Sequence, residues 1–208
     1  MRRTAQISLR KEPTQARSTA LVATILEAAV QVLAQDGAPR FTTARVAERA
    51  GVSVGSLYQY FPNKAAILFR LQRDEWRQTA ALLRGTLGDV RRPPRDRLHA
   101  LVHAFLHSEC EEAPVRVALK DAAPLYRDTP EAREAKVSAH RTVRIFLRET
   151  LPTASEATRA LAGDLITTTL SAVGKQYSER PRTPAEIATY ADALAEMFCA
   201  YLSGLTRR

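Results

Sequence analysis

The chain has 208 residues, 45% hydrophobic and 25% charged, which is the balance of a globular protein long enough to bury a core. Its net charge of +9 is uneven, since residues 1–64 hold nine Lys/Arg against four Asp/Glu, whereas residues 65–208 hold twenty-two against eighteen. Two widely separated cysteines argue against a secreted disulfide framework, and an N-terminus without an apolar stretch argues against a signal peptide. We therefore expect a cytoplasmic protein without membrane contact.

Apolar residues recur at helical spacing along the chain, which predicts an all-α fold of about nine helices. The first helix is expected over residues 14–35, because Asp36-Gly37 supplies a residue suited to a left-handed helix end. Two short helices follow over 43–50 and 54–60. Asn63 is expected to cap a longer helix that runs to residue 87.

The clearest linker is Arg91-Arg92-Pro93-Pro94, where two prolines prevent a helix from continuing. Helices are predicted over 95–112, 114–122, 130–151 and 155–178. The last helix has the clearest start, because Thr183, Pro184 and Glu186 form a capping box with proline at the first helical position.

Residues 41–64, FTTARVAERAGVSVGSLYQYFPNK, have the pattern of a helix-turn-helix. Gly51 can make the tight turn, and small or aliphatic residues around it allow two short helices to pack closely. Thr43 and Ser53 are expected to cap these helices. The second helix carries hydroxyl groups suited to DNA phosphates. The segment therefore predicts binding to double-stranded DNA.

This segment closely resembles the TetR/AcrR family of bacterial transcriptional repressors. The resemblance rests on Phe41-Thr42-Thr43, Gly51-Val52-Ser53, Leu57-Tyr58-Gln59-Tyr60-Phe61 and Asn63-Lys64. It implies that bases or sugars are approached by Val54, Gly55 and Tyr58. It also implies that the DNA backbone is held by Thr43, Ser53, Ser56, Tyr60 and Lys64. Ala44 and Arg45 occupy the start of the positioning helix, where some family members read a base.

The resemblance further implies a homodimer on a palindromic operator, released by a small-molecule effector and requiring no fixed cofactor. Direct base reading is expected to be sparse, because Ala44, Val54 and Gly55 offer only apolar or backbone contacts. The implied organisation is a basic, flexible arm over residues 1–16, a DNA-binding domain over 17–64, and an effector-binding and dimerisation domain over 65–208.

Two sets of residues in the last region are candidates for binding. The implied dimer interface lies on the last two helices and comprises Leu165, Thr169, Ala172, Ile187, Tyr190, Leu194, Met197, Phe198 and Tyr201. The candidate effector pocket is lined by Phe105, Leu119, Tyr126, Phe146 and Thr168. Apolar core residues share the same periodicity and composition, so a plain hydrophobic core is the alternative for both sets.

A row of histidines gives a further alternative, a metal-responsive regulator. His99, His103 and His107 recur every fourth residue and Cys110 follows, so His103, His107 and Cys110 share one face of a helix. The same spacing is also usual for the polar edge of an amphipathic helix, and we do not favour a metal site. No nucleotide-binding or hydrolase motif occurs, so an enzyme is not expected. A non-specific DNA-packaging protein remains the alternative of a different class.

Overall fold

The computed structural model describes residues 16–120 and 129–206, which form helices and no strand. The helices are, in chain order, α1 (Ala16–Arg40), α2 (Thr43–Arg49), α3 (Val54–Tyr58), α4 (Lys64–Leu87), α5 (Pro94–Glu111), α6 (Ala113–Lys120), α7 (Pro130–Thr150), α8 (Glu156–Tyr177) and α9 (Pro184–Thr206). The all-α prediction is confirmed.

The helix ends follow the local signals in the sequence. Gly37 interrupts α1 with φ 73° and ψ 171°, at the position where the helix is expected to stop. Asn63 Oδ1 accepts a hydrogen bond of 3.0 Å from the Ala66 N–H. At α9 the Thr183 N–H donates to Glu186 Oε2 over 2.7 Å, and the Glu186 N–H donates to Thr183 Oγ1 over 3.3 Å. These two bonds complete the predicted capping box. The hydrogen bonds that the Thr183 N–H and hydroxyl donate to the Glu186 carboxylate lower the pKa of Glu186.

The chain separates into two compact units by proximity of its Cα atoms. The first unit comprises residues up to Glu75 together with Pro114–Thr129. Its core joins α1 to the three helices that follow, and Leu119 of α6 belongs to it. The fully buried side chains include Ile25, Leu33, Phe41, Val46, Ala47, Leu57, Phe61 and Ile67. Burying each large apolar side chain of this kind contributes about 1.5–3 kcal/mol.

The second unit comprises Trp76–Ala113 and Pro130 onward. α5 packs along α9, and α8 packs against both α5 and α7. Its core contains residues from all four of these helices, among them Leu98, Leu101, Val102, Leu106, Phe146, Leu147, Ile166, Leu170, Ala191, Phe198 and Leu202.

α1 is the one helix in residues 16–120 and 129–206 that could cross a membrane by length and composition, over Ser18–Arg40 with a mean hydropathy of 1.4. Its side chains Ile25, Ala29 and Leu33 are nevertheless buried in the core of the first unit. A core helix of a soluble domain passes the same test of composition. We therefore assign α1 to this core.

Candidate nucleic-acid interface

α2 and α3 are joined by a tight turn at Gly51, whose φ of 66° lies in the left-handed region that glycine adopts without strain. Val46 and Ala47 of α2 and Leu57 of α3 have no exposed surface. The turn and these three side chains hold the two short helices together, as the helix-turn-helix pattern predicts.

The hydroxyl groups at the helix starts are arranged differently from the prediction in one respect. Thr42, not Thr43, caps α2, since its Oγ1 accepts a hydrogen bond of 3.2 Å from the Arg45 N–H. Ser53 caps α3 as predicted, accepting 3.0 Å from the Ser56 N–H. Thr43 is the first residue inside α2, and the sequence signal was ambiguous because two threonines are adjacent.

Thr43 Oγ1 lies 3.1 Å from the phenolic oxygen of Tyr58, so a hydrogen bond joins α2 to α3. Thr43 and Tyr58 lie 15 positions apart in the chain, and both are predicted DNA contacts. The hydrogen bond holds the Tyr58 ring, which is 39% exposed, at a defined position on the surface. A phenol fixed in this way can donate a hydrogen bond to a phosphate with less loss of side-chain entropy.

Small and apolar groups continue this surface along α3. Val54 is 40% exposed, and Ser53 and Gly55 are also exposed. A β-carbon at Gly55 would have its nearest contact at 3.7 Å, from Ser53 Oγ, which is ordinary van der Waals distance. Packing within the protein therefore does not require glycine at this position. Because glycine has no side chain, a DNA backbone can approach the helix surface closely here.

Arg45, a candidate for base contact, has a partner that the sequence analysis missed. Its Nη1 lies 2.8 Å from Asp36 Oδ2, and the two side chains are 46% and 30% exposed. This contact uses one of the five N–H donors of the guanidinium, so the Asp36 carboxylate orients Arg45 and leaves donors for a DNA acceptor. No helical spacing relates these residues, which belong to different helices, so the pair was not visible in the sequence pattern.

The other predicted contacts differ in accessibility. Ala44 and Lys64 are exposed, and Ser56 is half-buried. Tyr60 is only 7% exposed and packs in the core of the first unit, which makes it the least accessible member of the predicted set. The basic arm over residues 1–16 falls almost entirely outside the described residues.

Comparison with known families agrees with this geometry. The model described as "Bacterial regulatory proteins, tetR family" matches residues 25–71, which include α2 and α3. The model described as "Tetracyclin repressor-like, C-terminal domain" matches residues 93–205, more than half of the chain. The chain belongs to the TetR family. Membership of this family of bacterial regulatory proteins supports a DNA-binding regulator of transcription rather than an enzyme.

Individual relatives are more distant. The chain is 39% identical over 54 residues to the fatty acid metabolism regulator protein of Bacillus subtilis, covering 26% of this chain and 28% of that protein. It is 32% identical over 93 residues to the HTH-type transcriptional regulator BetI of Burkholderia ambifaria, covering 45% and 48%. The chain thus spans less than half the length of the curated relatives that it matches.

A solved structure supports the fold over a longer part of the chain. The transcriptional regulator FadR of Bacillus subtilis, solved in complex with stearoyl-CoA, superimposes with a TM-score of 0.67 at 16% sequence identity. The superposition covers 85% of this chain and 96% of that structure. At this identity the likeness establishes the TetR fold alone.

The residues implied for a TetR-type dimer interface divide into two groups. Leu165, Tyr190 and Met197 are 46%, 40% and 52% exposed, and Ala172 is also exposed. Thr169 and Tyr201 are half-buried. The prediction fails for Ile187, Leu194 and Phe198, which are at most 7% exposed and belong to the core of the second unit. Core and surface stripes on α9 have the same period, so the sequence could not separate them.

The residues predicted to line an effector pocket lie in different surroundings within the part of the chain that the structure describes. Leu119 is buried in the core of the first unit, and Thr168 is exposed on α8. Phe105 packs so tightly on α8 that a β-carbon at Gly174 would lie 2.8 Å from its ring. Phe146 borders a small cavity of about 120 Å³ beside α9. Tyr126 lies outside the described residues.

The second unit has a larger open cleft of about 530 Å³ near the end of α8. Tyr177 and Tyr190 stack in it with ring centroids 4.2 Å apart, and the guanidinium of Arg182 lies 4.4 Å from the Tyr177 centroid. Arg180 also lines the cleft. The cleft combines two arginines and the carboxylate of Glu179 with aromatic surface. The sequence indicated no role for the cleft, although Tyr190 belongs to the predicted dimer interface.

The histidine row of α5 is divided among different partners. His103, His107 and Cys110 do not form a metal-ligand group in the described residues; His107 Nδ1 instead lies 3.2 Å from Glu111 Oε1. Burial raises the pKa of the Cys110 thiol, which disfavours the thiolate that metals bind. His99 and His103 turn instead towards carboxylates of α9.

Proposed function

We propose that this TetR-family regulator is a homodimeric repressor that binds a palindromic operator and leaves it when a small molecule binds the second unit. The observation that carries the DNA-binding part is the bond between Thr43 and Tyr58, which holds an accessible phenol beside the exposed Ser53, Val54 and Gly55. This surface offers hydroxyl groups and close backbone approach, and few side chains that read bases. We therefore expect operator choice to depend on DNA shape as well as on Arg45.

The proposed dimer uses the exposed side of α8 and α9. On α8 this side carries Leu161 and Leu165, 65% and 46% exposed, at a spacing of four residues. On α9 it carries Tyr190 and Met197, seven residues apart. Exposed large apolar side chains aligned on a helix face are typical of surfaces that are covered in an assembly. Two helix-turn-helix units related by a two-fold axis would match the two halves of a palindrome.

The effector is proposed to be an anionic amphiphile. Arg180 and Arg182 beside the stacked Tyr177 and Tyr190 give the 530 Å³ cleft both charge and apolar surface. One relative is called a fatty acid metabolism regulator, and FadR was solved with stearoyl-CoA. Long-chain acyl-CoA is therefore the first class to screen by thermal shift, with free coenzyme A as the control that lacks the apolar chain.

DNA binding is tested by selecting protected fragments from the DNA around the protein's own gene and measuring their affinity by fluorescence anisotropy. We expect a protected palindrome that binds at least about a thousandfold more tightly than its scrambled version at the same salt concentration. Acyl-CoA, but not coenzyme A, should reduce this affinity. Absence of any protected site would contradict the proposal.

The basic charge and the sparse base-reading side chains also suit a non-specific DNA-packaging protein. Such a protein would bind operator and scrambled DNA equally, and its affinity would fall steeply with salt for both. The same anisotropy series over several salt concentrations therefore separates the two functions.

A further inference from the structure

Two histidines of α5 and an aspartate of α9 converge on one point of the second unit. His99, His103 and Asp192 each present one ligand atom, and these atoms all lie within 4.8 Å of one another. His103 Nε2 lies 2.7 Å from Asp192 Oδ1. We propose that His99, His103 and Asp192 form a binding site for a divalent transition metal ion of the Zn²⁺ class. This inference does not depend on the proposed effector.

The donor set favours a transition metal. Histidines at positions i and i+4 present their rings on the same helix face, a spacing that zinc proteins use. Two imidazole nitrogens and one carboxylate are ligands that Zn²⁺ takes with an open fourth position for water. Ca²⁺ and Mg²⁺ instead prefer oxygen ligands throughout. Ligand atoms on one tetrahedral zinc ion lie about 3.3 Å apart, so only small side-chain movements are needed.

His99 provides an independent sign of a missing ligand. Its Nε2 is buried and makes no hydrogen bond in the described part of the chain, although Glu196 Oε1 lies 3.1 Å away. The geometry at that carboxylate therefore leaves the nitrogen unsatisfied. A buried polar atom of this kind is unfavourable unless a partner is supplied. A metal ion bound between the two helices would supply it.

The surrounding charges leave Asp192 as the carboxylate most suited to direct ligation. Glu196 Oε1 lies 3.1 Å from His99 Nε2, to which it makes no hydrogen bond, and 2.5 Å from Arg95 Nη2, with which it pairs. Glu196 thereby offsets the positive charge of Arg95, which would otherwise repel a cation. Asp192 is 64% exposed and has His103 as its partner, so the carboxylate can reorient with little cost.

Metal binding would join α5 to α9 by bonds in addition to their apolar packing. Tyr190 and Met197 belong to the proposed dimer surface. Asp192 lies two residues from Tyr190 and five residues from Met197. The ion would thus fix the helix that presents this surface. The competing explanation is a pair of ordinary histidine–carboxylate contacts at the protein surface, which bind no metal.

The two explanations are separated by titrating untagged full-length protein with Zn²⁺ in competition with a chromophoric chelator. We expect one ion per chain in the natural protein. His103→Ala and Asp192→Asn should each weaken binding at least about tenfold, since even indirect partners of metal ligands contribute that much. Both side chains are partly exposed, so the variants should retain the helical circular dichroism of the natural protein.

His107→Ala is the matched control, because His107 lies on the same helix and pairs only with Glu111 among its charged neighbours described here. This variant should bind Zn²⁺ as the natural protein does. Co²⁺ should give the visible absorption of a four-coordinate site in the natural protein and in His107→Ala, but not in His103→Ala. Absence of stoichiometric binding, or equal loss in all three variants, would overturn the proposal. Loss in His103→Ala with full binding in Asp192→Asn would also overturn it, since the Asp192 carboxylate would then not be a ligand.

Discussion

Polar contacts in the two units of this protein span very different lengths of chain. In the helix-turn-helix, Ser53 bonds to Ser56 three residues away and Thr43 to Tyr58 fifteen residues away. In the second unit, His103 meets Asp192 over 89 residues and Arg95 meets Glu196 over 101. Caps and turns between nearby residues thus form the candidate DNA surface. In the second unit, the polar contacts form between helices that are distant in the sequence.

This difference explains why one region can be interpreted from its sequence and the other cannot. A cap or a turn constrains residue types at fixed short spacings, so it leaves a pattern in the chain. A contact between two long helices constrains only which faces meet, and many residue pairs are compatible with that. Four variants, each with a control, test the contrast from the largest expected effect to the smallest.

Replacing Arg97 tests whether long-range polar pairing stabilises the second unit. Arg97 is 1% exposed; it donates 2.8 Å to the Leu87 carbonyl and pairs with Glu149. Arg97→Met should lower the free energy of unfolding by about 3 kcal/mol, because a buried carbonyl and a carboxylate lose their partner. Urea unfolding measures this change.

Arg91→Met is the control for the Arg97 variant, since Arg91 is 87% exposed and pairs with Asp89 two residues away. Its urea midpoint should not change measurably. Equal stability of the two variants would show that the long-range pair contributes nothing and would remove this part of the contrast.

Charge on the exposed side of α8 and α9 tests the proposed dimer. The double substitution Leu165→Glu with Met197→Glu should give a monomer in analytical ultracentrifugation, because four like charges would face each other across a two-fold axis. Affinity for a palindromic operator should fall by about a hundredfold as the second half-site is lost. Ile145→Glu, at a 59% exposed position of α7, should remain dimeric. A dimer in both variants would contradict the assignment of the interface.

Tyr58→Phe tests the short-range contact in the helix-turn-helix. It removes the hydroxyl that bonds Thr43 and that would meet a phosphate, so operator affinity should fall by about tenfold. Tyr60→Phe removes the hydroxyl from a side chain that is only 7% exposed and should change affinity much less. Fluorescence anisotropy at fixed salt compares the two. Similar losses in both variants would mean that the bond to Thr43 has no special role.

The first unit also contains a long-range polar contact, between Glu75 and Arg116. The difference in contact range between the two units is therefore not complete. Burial raises the pKa of Glu75, and Arg116, 3.5 Å away, offsets this only in part. A carboxyl group with a raised folded-state pKa contributes stability below its ordinary pKa of 4.5 and loses it as the pH rises through the folded-state value.

Glu75→Gln should therefore gain stability relative to the natural protein as the pH rises from 4 to 7, because the amide, unlike the buried carboxyl group, does not have to ionise. Urea unfolding at the two pH values measures the gain. Asp74→Asn, one residue earlier on α4 and 32% exposed, is the comparison variant. A relative loss of stability with rising pH in Glu75→Gln would show that pairing with Arg116 outweighs burial.

The success of the sequence interpretation varied with the kind of signal. Gly51, Asn63 and the Thr183–Glu186 box were identified correctly, because each depends on the backbone conformation of a few adjacent residues. The choice of Thr43 over Thr42 as a cap was wrong, since either threonine fits the same rule. The interface residues on α9 were half wrong, because the buried and exposed stripes differ only in which neighbour they meet.

The sequence by itself determined the all-α class, the positions of the helices and the helix-turn-helix that places the chain in the TetR family. These follow from periodicity, capping and turn chemistry, which act over a few residues. Only the tertiary structure decided that Arg45 is paired with Asp36, that Phe198 belongs to the core, and that His99 and His103 face Asp192. Each of these depends on how two helices are rotated against each other, and the free energy of that packing is summed over many apolar contacts that no short motif records.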